Sequence, residues 1–186
     1  MNMKKKIYQK NRPMRLLTGG FSLVETLVAV TLLLIAVAGV MNMAQGGLQL
    51  AVAARDQMVA TYLAQEATEY IRNIRDSNHL AEDAWDKGFS DCSNACRLDV
   101  TLPASAGGIT GCPGGVCPFL RYDEENARYY YDPNKPQSRF HRKVVISPVR
   151  NDSDGTAEYI VEVIVSWAGT KGGNSLRLVS SLHRRN

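Results

Sequence analysis

The distribution of apolar residues predicts a membrane-spanning helix near the start of the chain. Residues 21–41 are mostly apolar, and Glu25 is the only ionisable side chain among them. A run of about 20 such residues is long enough to cross a bilayer as a helix. One carboxylate therefore lies near the beginning of the span. A charge there is energetically costly, so a functional role is expected for it.

The apolar pattern continues after the span at the three- and four-residue spacing of an amphipathic helix. Charged side chains such as Asp56 and Glu66 occupy the positions between the apolar ones, and no proline interrupts the segment. One helix is therefore predicted from about Ser22 to Asn78, and Gly46-Gly47 is its weakest point. The apolar stripe of the second half comprises Val52, Val59, Tyr62, Leu63, Ala67, Tyr70, Ile71 and Ile74.

The last third of the chain alternates apolar and polar residues. The segments FHRKVVISPV, TAEYIVEVIVSWA and SLRLVSSLHR are separated by turn-rich stretches and predict an antiparallel meander over residues 138–186. On the middle strand, Glu158 and Glu162 should lie on the face opposite to the one that packs on the helix. The residues expected on the helix-facing side are Tyr159, Val161, Val163, Val165 and Trp167.

Residues 79–137 have no sustained period and predict an irregular region that holds all four cysteines. RLDVTL is a weak candidate strand, and ARYYYD is another. The chain therefore predicts an α+β fold. Residues 21–45 form the membrane half of the helix, residues 46–78 form its amphipathic half, and the irregular region and the meander complete a globular head.

Basic residues are concentrated before the apolar run. Six of the 22 Lys and Arg residues precede Gly20, where no acidic residue occurs, which leaves 16 basic against 18 acidic residues, or about −2. A basic flank predicts a cytoplasmic amino terminus and an exported carboxyl-terminal domain. The slightly acidic remainder argues against nucleic-acid binding.

The stretch GGFSLVETLVAV, Gly19 to Val30, follows the basic leader and places Glu25 as the fifth residue after Gly20. This order resembles the amino terminus of type IV prepilins and type II secretion pseudopilins. In that family a prepilin peptidase cuts after the glycine and methylates the new amino terminus. The resemblance implies a leader peptide over residues 1–20, cleavage between Gly20 and Phe21, N-methylation of Phe21, and an assembly role for Glu25.

The same resemblance implies a pilin-like ladle, in which the long helix packs on an antiparallel sheet and a cysteine-containing loop joins them. The sheet segments look like those of minor pilins of the pilus-modification type. The implied function is that of a structural minor subunit of a bacterial type IV pilus or pseudopilus. It would reside in the inner membrane and then in a filament at the cell surface. Its implied partners are prepilin peptidase, other pilin subunits, the inner-membrane assembly platform and, before assembly, membrane lipid.

Two features of the amino-terminal segment also fit a different class of protein. Gly20 is compatible with an ordinary helix-entry glycine, and Glu25 is close enough to the end of the span to snorkel to the interface. The alternative is then a signal-anchored exported binding protein that does not polymerise. Cleavage after Gly20 separates the two interpretations.

The cysteines stand as Cys92-x3-Cys96 and Cys112-x4-Cys117. In an exported domain they predict two disulfides, and zinc bound by four thiolates or free thiols are the alternatives. Four cysteines allow three connectivities. The local one, Cys92 with Cys96 and Cys112 with Cys117, is predicted because a short loop is easily closed.

The sequence offers no complete catalytic or metal-binding motif. NDSDG, residues 151–155, resembles half of a calcium loop, but Arg150 and Val161 occupy the places of its first and last acidic ligands, which favours a hairpin turn. The three histidines are far apart, and no G-x-S-x-G, P-loop or H-E-x-x-H pattern occurs. We therefore predict a protein that is not an enzyme and that has no cofactor and no metal.

Overall fold

A computed structural model describes residues 19–152, 155–169 and 172–184 of the chain. Most of the predicted leader, residues 1–18, and the centre of the NDSDG turn lie outside this part. Within it the fold is α+β, with one long α-helix and one antiparallel sheet of seven strands. The elements are α1 (Leu23–Leu80), β1 (Cys96–Leu98), β2 (Ile109–Gly111), β3 (Phe119–Asp123), β4 (Arg128–Tyr130), β5 (Gln137–Asp152), β6 (Gly155–Gly169) and β7 (Gly172–His183).

Helix α1 agrees with the predicted helix to within two residues at each end. Ser22 caps its start, because the Ser22 Oγ accepts a hydrogen bond from the Glu25 N–H at 3.2 Å. The chain leaves the helix at Glu82, whose φ of 54° is left-handed. The Asp83 N–H then donates to the Asn78 carbonyl at 3.0 Å, which satisfies one of the free carbonyls at the helix end.

The chain divides into two compact units, residues 1–46 and residues 47–186, and α1 is helical through the glycine pair where they meet. Every described side chain from residue 19 to residue 55 is exposed. The first buried helix residue is Asp56, and the sheet and its connections belong to the second unit. The second unit, called the head below, therefore contains the core.

The sheet is built on the predicted meander. Strands β5, β6 and β7 pair antiparallel in order, with Val144 opposite Val163 and Val163 opposite Leu178. The other edge of β5 pairs with two short strands, β1 at Val144 and β3 between Gln137 and His141. Strands β1 and β3 therefore follow one another along the same edge of β5, while β2 and β4 extend them outward.

The core lies between the second half of α1 and the inner face of the sheet. Its helix side is formed by small and branched residues, Ala60, Leu63, Ala64, Ala67, Ile71 and Ile74. On β6, Val161, Val163, Val165 and Trp167 are buried as predicted, Tyr159 is half-buried, and Glu158 and Glu162 keep partial exposure on the opposite face. The predicted alternation of core-facing and solvent-facing residues along β6 is thus confirmed.

Three helix positions differ from the predicted stripe. Val52 and Tyr62, expected to face the core, are 48% and 64% exposed. Asp56, expected on the polar side, is 8% exposed because its carboxylate pairs with the Arg139 guanidinium at 2.8 Å. The buried stripe therefore begins at Asp56, later than predicted, and Tyr62 lies outside it.

The region over residues 79–137 is less irregular than predicted. RLDVTL pairs only as Cys96–Leu98 and ARYYYD only as Arg128–Tyr130, and β3 was not predicted at all. These strands are three to five residues long and carry little alternation. Strands β1 and β3 form because β5 is long enough to offer its free edge to both, and β4 pairs with β3.

Candidate assembly site

The glycine pair that precedes α1 is accessible. Gly19 and Gly20 lie outside the helix, and a Cβ added at either would meet no atom within 4 Å. Phe21 is 77% exposed. Nothing within the described residues therefore shields the Gly20–Phe21 bond, at which cleavage was predicted, or requires glycine at position 20 for packing.

Glu25 lies in the first turn of α1, one turn beyond the capping Ser22. Within the described residues, no hydrogen bond or ion pair involves its carboxylate, and its backbone N–H donates to the Ser22 Oγ. The positive end of the helix dipole favours an acidic side chain at this position. The part of the chain that the structure describes therefore gives Glu25 a favourable location but no charged partner.

The first half of α1 presents apolar side chains all round. Its two threonines do not interrupt this surface, because Thr26 donates to the Leu23 carbonyl and Thr31 to the Val28 carbonyl, both at 2.8 Å. By length and composition this segment can cross a membrane, a property that signal sequences share. The exposed apolar residues include Leu27, Leu32, Leu33, Leu34, Ile35, Val40 and Met41.

Three glycines lie inside the helix, and none has a packing reason within the described part of the chain. A Cβ added at Gly39, Gly46 or Gly47 would meet no atom within 4 Å. Glycine costs about 1 kcal/mol relative to alanine in a helix interior. Gly39 and Gly46 are seven residues apart and so share one face of the helix. The fold of a single chain does not explain them.

A buried arginine joins the helix to the sheet. Arg142 on β5 is fully buried, and its guanidinium donates to the Glu66 carboxylate at 2.8 Å and to the carbonyls of Leu63 at 3.0 Å and Leu98 at 2.6 Å. One side chain thus connects α1, β1 and β5. Sequence reasoning missed it, although the alternation of Phe140, Arg142, Val144 and Ile146 does place Arg142 on the inner face.

The four cysteines form two disulfides, Cys92–Cys96 and Cys112–Cys117, and all four are buried. This is the local pairing that the spacing predicted. Cys96 begins β1, and Cys117 is two residues before β3. The bridges therefore constrain the chain next to the two short strands on the β5 edge.

The turn between β3 and β4 is organised by Asp123. Its carboxylate accepts hydrogen bonds from the Asn126 amide at 2.8 Å, the Lys135 ammonium at 3.0 Å and the Glu125 N–H at 3.1 Å. These donors favour the charged form, the Asn126 bond most, and hold the pKa of Asp123 well below its usual range. Asp123 is thus a structural carboxylate with satisfied oxygens.

The predicted histidines lie on separate elements. His79 is in the last turn of α1, His141 on β5 contacts the Cys117 carbonyl, and His183 on β7 lies 3.8 Å from Glu158. Among the described residues, no group of three His, Cys, Asp or Glu side chains is placed to hold a metal ion. Residues 153 and 154 of NDSDG, the segment that resembles half of a calcium loop, lie outside the described residues.

Comparison with known proteins assigns neither a family nor a function to the chain. Comparison of the chain with protein-family models, curated proteins and solved structures gave no match. The functional argument therefore depends on the motif at Gly19–Val30 and on the contacts described above.

Proposed function

We propose that this protein is a structural subunit of a type IV pilus or a related pseudopilus, processed after Gly20 and assembled through residues 21–45. The observation that carries the proposal is the exposed apolar start of α1, whose single carboxylate, Glu25, has no partner within the described residues. An apolar surface of this extent requires lipid or other protein around it. A filament of like helices supplies such an environment after the subunit leaves the membrane.

Cleavage after Gly20 supplies the partner that Glu25 lacks. It creates an ammonium group at Phe21, N-methylated by resemblance to the family, only four residues before the carboxylate. A buried carboxylate is costly unless it is paired. Pairing Glu25 of one subunit with Phe21 of its neighbour removes both unpaired charges in one contact, and it also specifies the axial position of the incoming helix.

The helix glycines support this proposal independently. Gly39, Gly46 and Gly47 cost helix stability, and no atom of the described residues would hinder a side chain at these positions. Small residues allow helices to approach closely in apolar surroundings. A bundle of α1 helices from neighbouring subunits gives these glycines a use.

The proposal also names a route and its partners. The chain enters the inner membrane with its amino terminus in the cytoplasm, prepilin peptidase removes the leader, and the assembly platform transfers the subunit from lipid to the filament. The two disulfides agree with an exported head, since thiols oxidise outside the cytoplasm.

Processing is tested with Gly20→Val, expressed with and without a prepilin peptidase. A bulky side chain should block cleavage, so the intact mass should remain that of the full chain. Wild type should lose residues 1–20 only when the peptidase is present. An uncleaved wild-type chain would instead support a signal-anchored binding protein, and equal cleavage of both chains would contradict the assigned site.

The assembly role is tested with Glu25→Gln, which keeps the side-chain size and removes the charge. Membrane insertion should persist, because a neutral side chain is cheaper in lipid than a carboxylate. The unpaired ammonium left in the filament should cost several kcal/mol, on the order of 3. The measurement is the amount of subunit in sheared filaments relative to membranes, with unfolding of the head as the control. Wild-type incorporation of Glu25→Gln would show that Glu25 only snorkels.

A further inference from the structure

A cleft of about 510 Å³ lies in the head where β1 and β3 follow one another along β5. Two guanidiniums and two aromatic rings face it, and two prolines complete its walls. No carboxylate lines it among residues 19–152, 155–169 and 172–184. The residues that the argument uses are Arg97, Pro118, Phe119, Arg121, Tyr131 and Pro133.

The two arginines of the cleft differ from most others in the head. Five other described arginines, including Arg139, Arg142 and Arg177, each have a carboxylate within 4.0 Å. Among the described residues, neither Arg97 nor Arg121 has one. The cleft therefore concentrates two positive charges that no described carboxylate pairs with.

Neutral groups hold both arginines in place. The Arg97 guanidinium lies 5.3 Å from the centre of the Tyr131 ring, and Arg121 donates one hydrogen bond to the Lys135 carbonyl at 3.3 Å. A guanidinium has five N–H donors, so each side chain is oriented while most of its donors stay free. Asp99, next to this wall, is buried and already accepts from the Tyr131 N–H at 3.4 Å, and Asp132, between Tyr131 and Pro133 in the chain, accepts from the Asn134 N–H at 2.9 Å.

The apolar wall is held by covalent and polar contacts. Phe119 is 45% exposed, and its ring makes an edge contact with His141 at 5.6 Å between centroids. The His141 ring also contacts the Cys117 carbonyl, and Cys117 is bridged to Cys112. Pro118 lies between these anchored positions. The wall thus exposes an aromatic ring whose position is restricted before any ligand binds.

We infer that this cleft binds an acidic peptide segment of a partner protein, in which carboxylates flank an apolar side chain. The carboxylates pair with Arg97 and Arg121, whose planar forks suit carboxylate oxygens, and the apolar side chain packs on Phe119 and Pro118. The inference does not depend on filament assembly, since all of these residues lie in the head.

The shape and charge of the surroundings favour a peptide over other anions. A small ligand needs most of its surface buried, and this cleft is partly open to solvent. Nucleic acid requires a row of cations along its backbone, whereas the chain after Gly20 carries about −2 and the cleft offers two guanidiniums. A peptide can continue beyond an open cleft, and it needs only two cations to bind its carboxylates.

The test uses the full-length, oxidised protein in detergent and a fluorescein-labelled pentapeptide with two glutamates on each side of a leucine. Fluorescence anisotropy measures its affinity for wild type, Arg97→Gln, Arg121→Gln and Phe119→Ala. Arg177→Gln is the matched charge control, because Arg177 is bonded to Glu162 outside the cleft. The glutamine version of the peptide and a single-stranded oligonucleotide of equal charge complete the comparison.

Binding of the acidic peptide should weaken by about tenfold in each cleft variant, equivalent to about 1.4 kcal/mol. It should change less than about twofold in Arg177→Gln, because that substitution removes the same charge outside the cleft. Urea unfolding verifies that the variants are folded. The inference is overturned if the peptide does not bind wild type at about 1 mM, if the glutamine peptide binds equally, if Arg177→Gln is equally damaging, or if the oligonucleotide binds more tightly.

Discussion

The contact between Glu66 and Arg142 should stabilise the head more than any surface ion pair. Arg142 has no exposed side-chain surface, whereas 41% of the Glu66 side chain is exposed. Glu66→Ala removes the only carboxylate bonded to this buried guanidinium among the described residues. The guanidinium then keeps two carbonyl acceptors, of Leu63 and Leu98, but loses its counter-charge.

The expected loss of stability for Glu66→Ala follows from the exposed fractions of the Glu66 and Arg142 side chains. Removing one partner of a fully buried pair costs about 3–5 kcal/mol, and removing one partner of an exposed pair costs at most about 1 kcal/mol. Glu66 is between these cases, so we expect a loss of about 2 kcal/mol for Glu66→Ala, similar to one hydrogen bond to a charged group. Glu69→Ala is the matched control, because Glu69 and its partner Arg72 are 66% and 44% exposed. It should cost less than about 0.5 kcal/mol.

Urea unfolding of the oxidised chain in detergent measures this difference. The two tryptophans, Trp85 and Trp167, are both in the head and pack on its aromatic residues, so their fluorescence reports head unfolding. With a denaturant slope of about 2 kcal/mol per M, a loss of about 2 kcal/mol lowers the midpoint by about 1 M. Repeating Glu66→Ala in an Arg142→Met background isolates the pair.

In the Arg142→Met background, Glu66→Ala should cost less than about 0.5 kcal/mol, because no buried guanidinium remains to lose its counter-charge. Equal midpoints for Glu66→Ala and Glu69→Ala would refute the reasoning. An unchanged cost in the Arg142→Met background would also refute it, because Glu66 would then act through something other than Arg142.

Two further predictions concern the turn and the helix. The pKa of Asp123 is lowered in the folded state, so its carboxylate stabilises the head above its usual pKa of 3.8 and loses that contribution as the pH falls below it. The difference in thermal stability between wild type and Asp123→Asn should therefore be constant from pH 7 to about 5 and shrink in stronger acid, and a difference that grows in acid would contradict this. Gly46→Ala and Gly46→Leu should both insert in membranes, but only the leucine variant should be depleted from sheared filaments, because its bulk obstructs close helix packing. Equal filament content for the two variants would contradict a packing role for Gly46.

Local patterns in the sequence determined the main elements. The apolar run and the three- and four-residue spacing that follows it predicted α1 to within two residues at each end. Alternation predicted β5, β6 and β7 and the inner face of β6, and short spacing predicted both disulfides. Each of these features depends on residues close together in the chain. Local geometry and loop closure act there independently of the rest of the fold.

Only the tertiary structure decided which polar residues are buried and where the head cleft lies. Asp56 and Arg142 are inside because Arg139 and Glu66 reach them from other elements, across 83 and 76 residues of chain. Of the short strands, β1 was only a weak candidate and β3 was not predicted, because both carry little alternation and their position depends on the free edge of β5. The cleft brings together Arg97 and Arg121 from different strands. Such pairings are set by the packing of distant segments, because a buried charge is tolerated only where the fold supplies its partner.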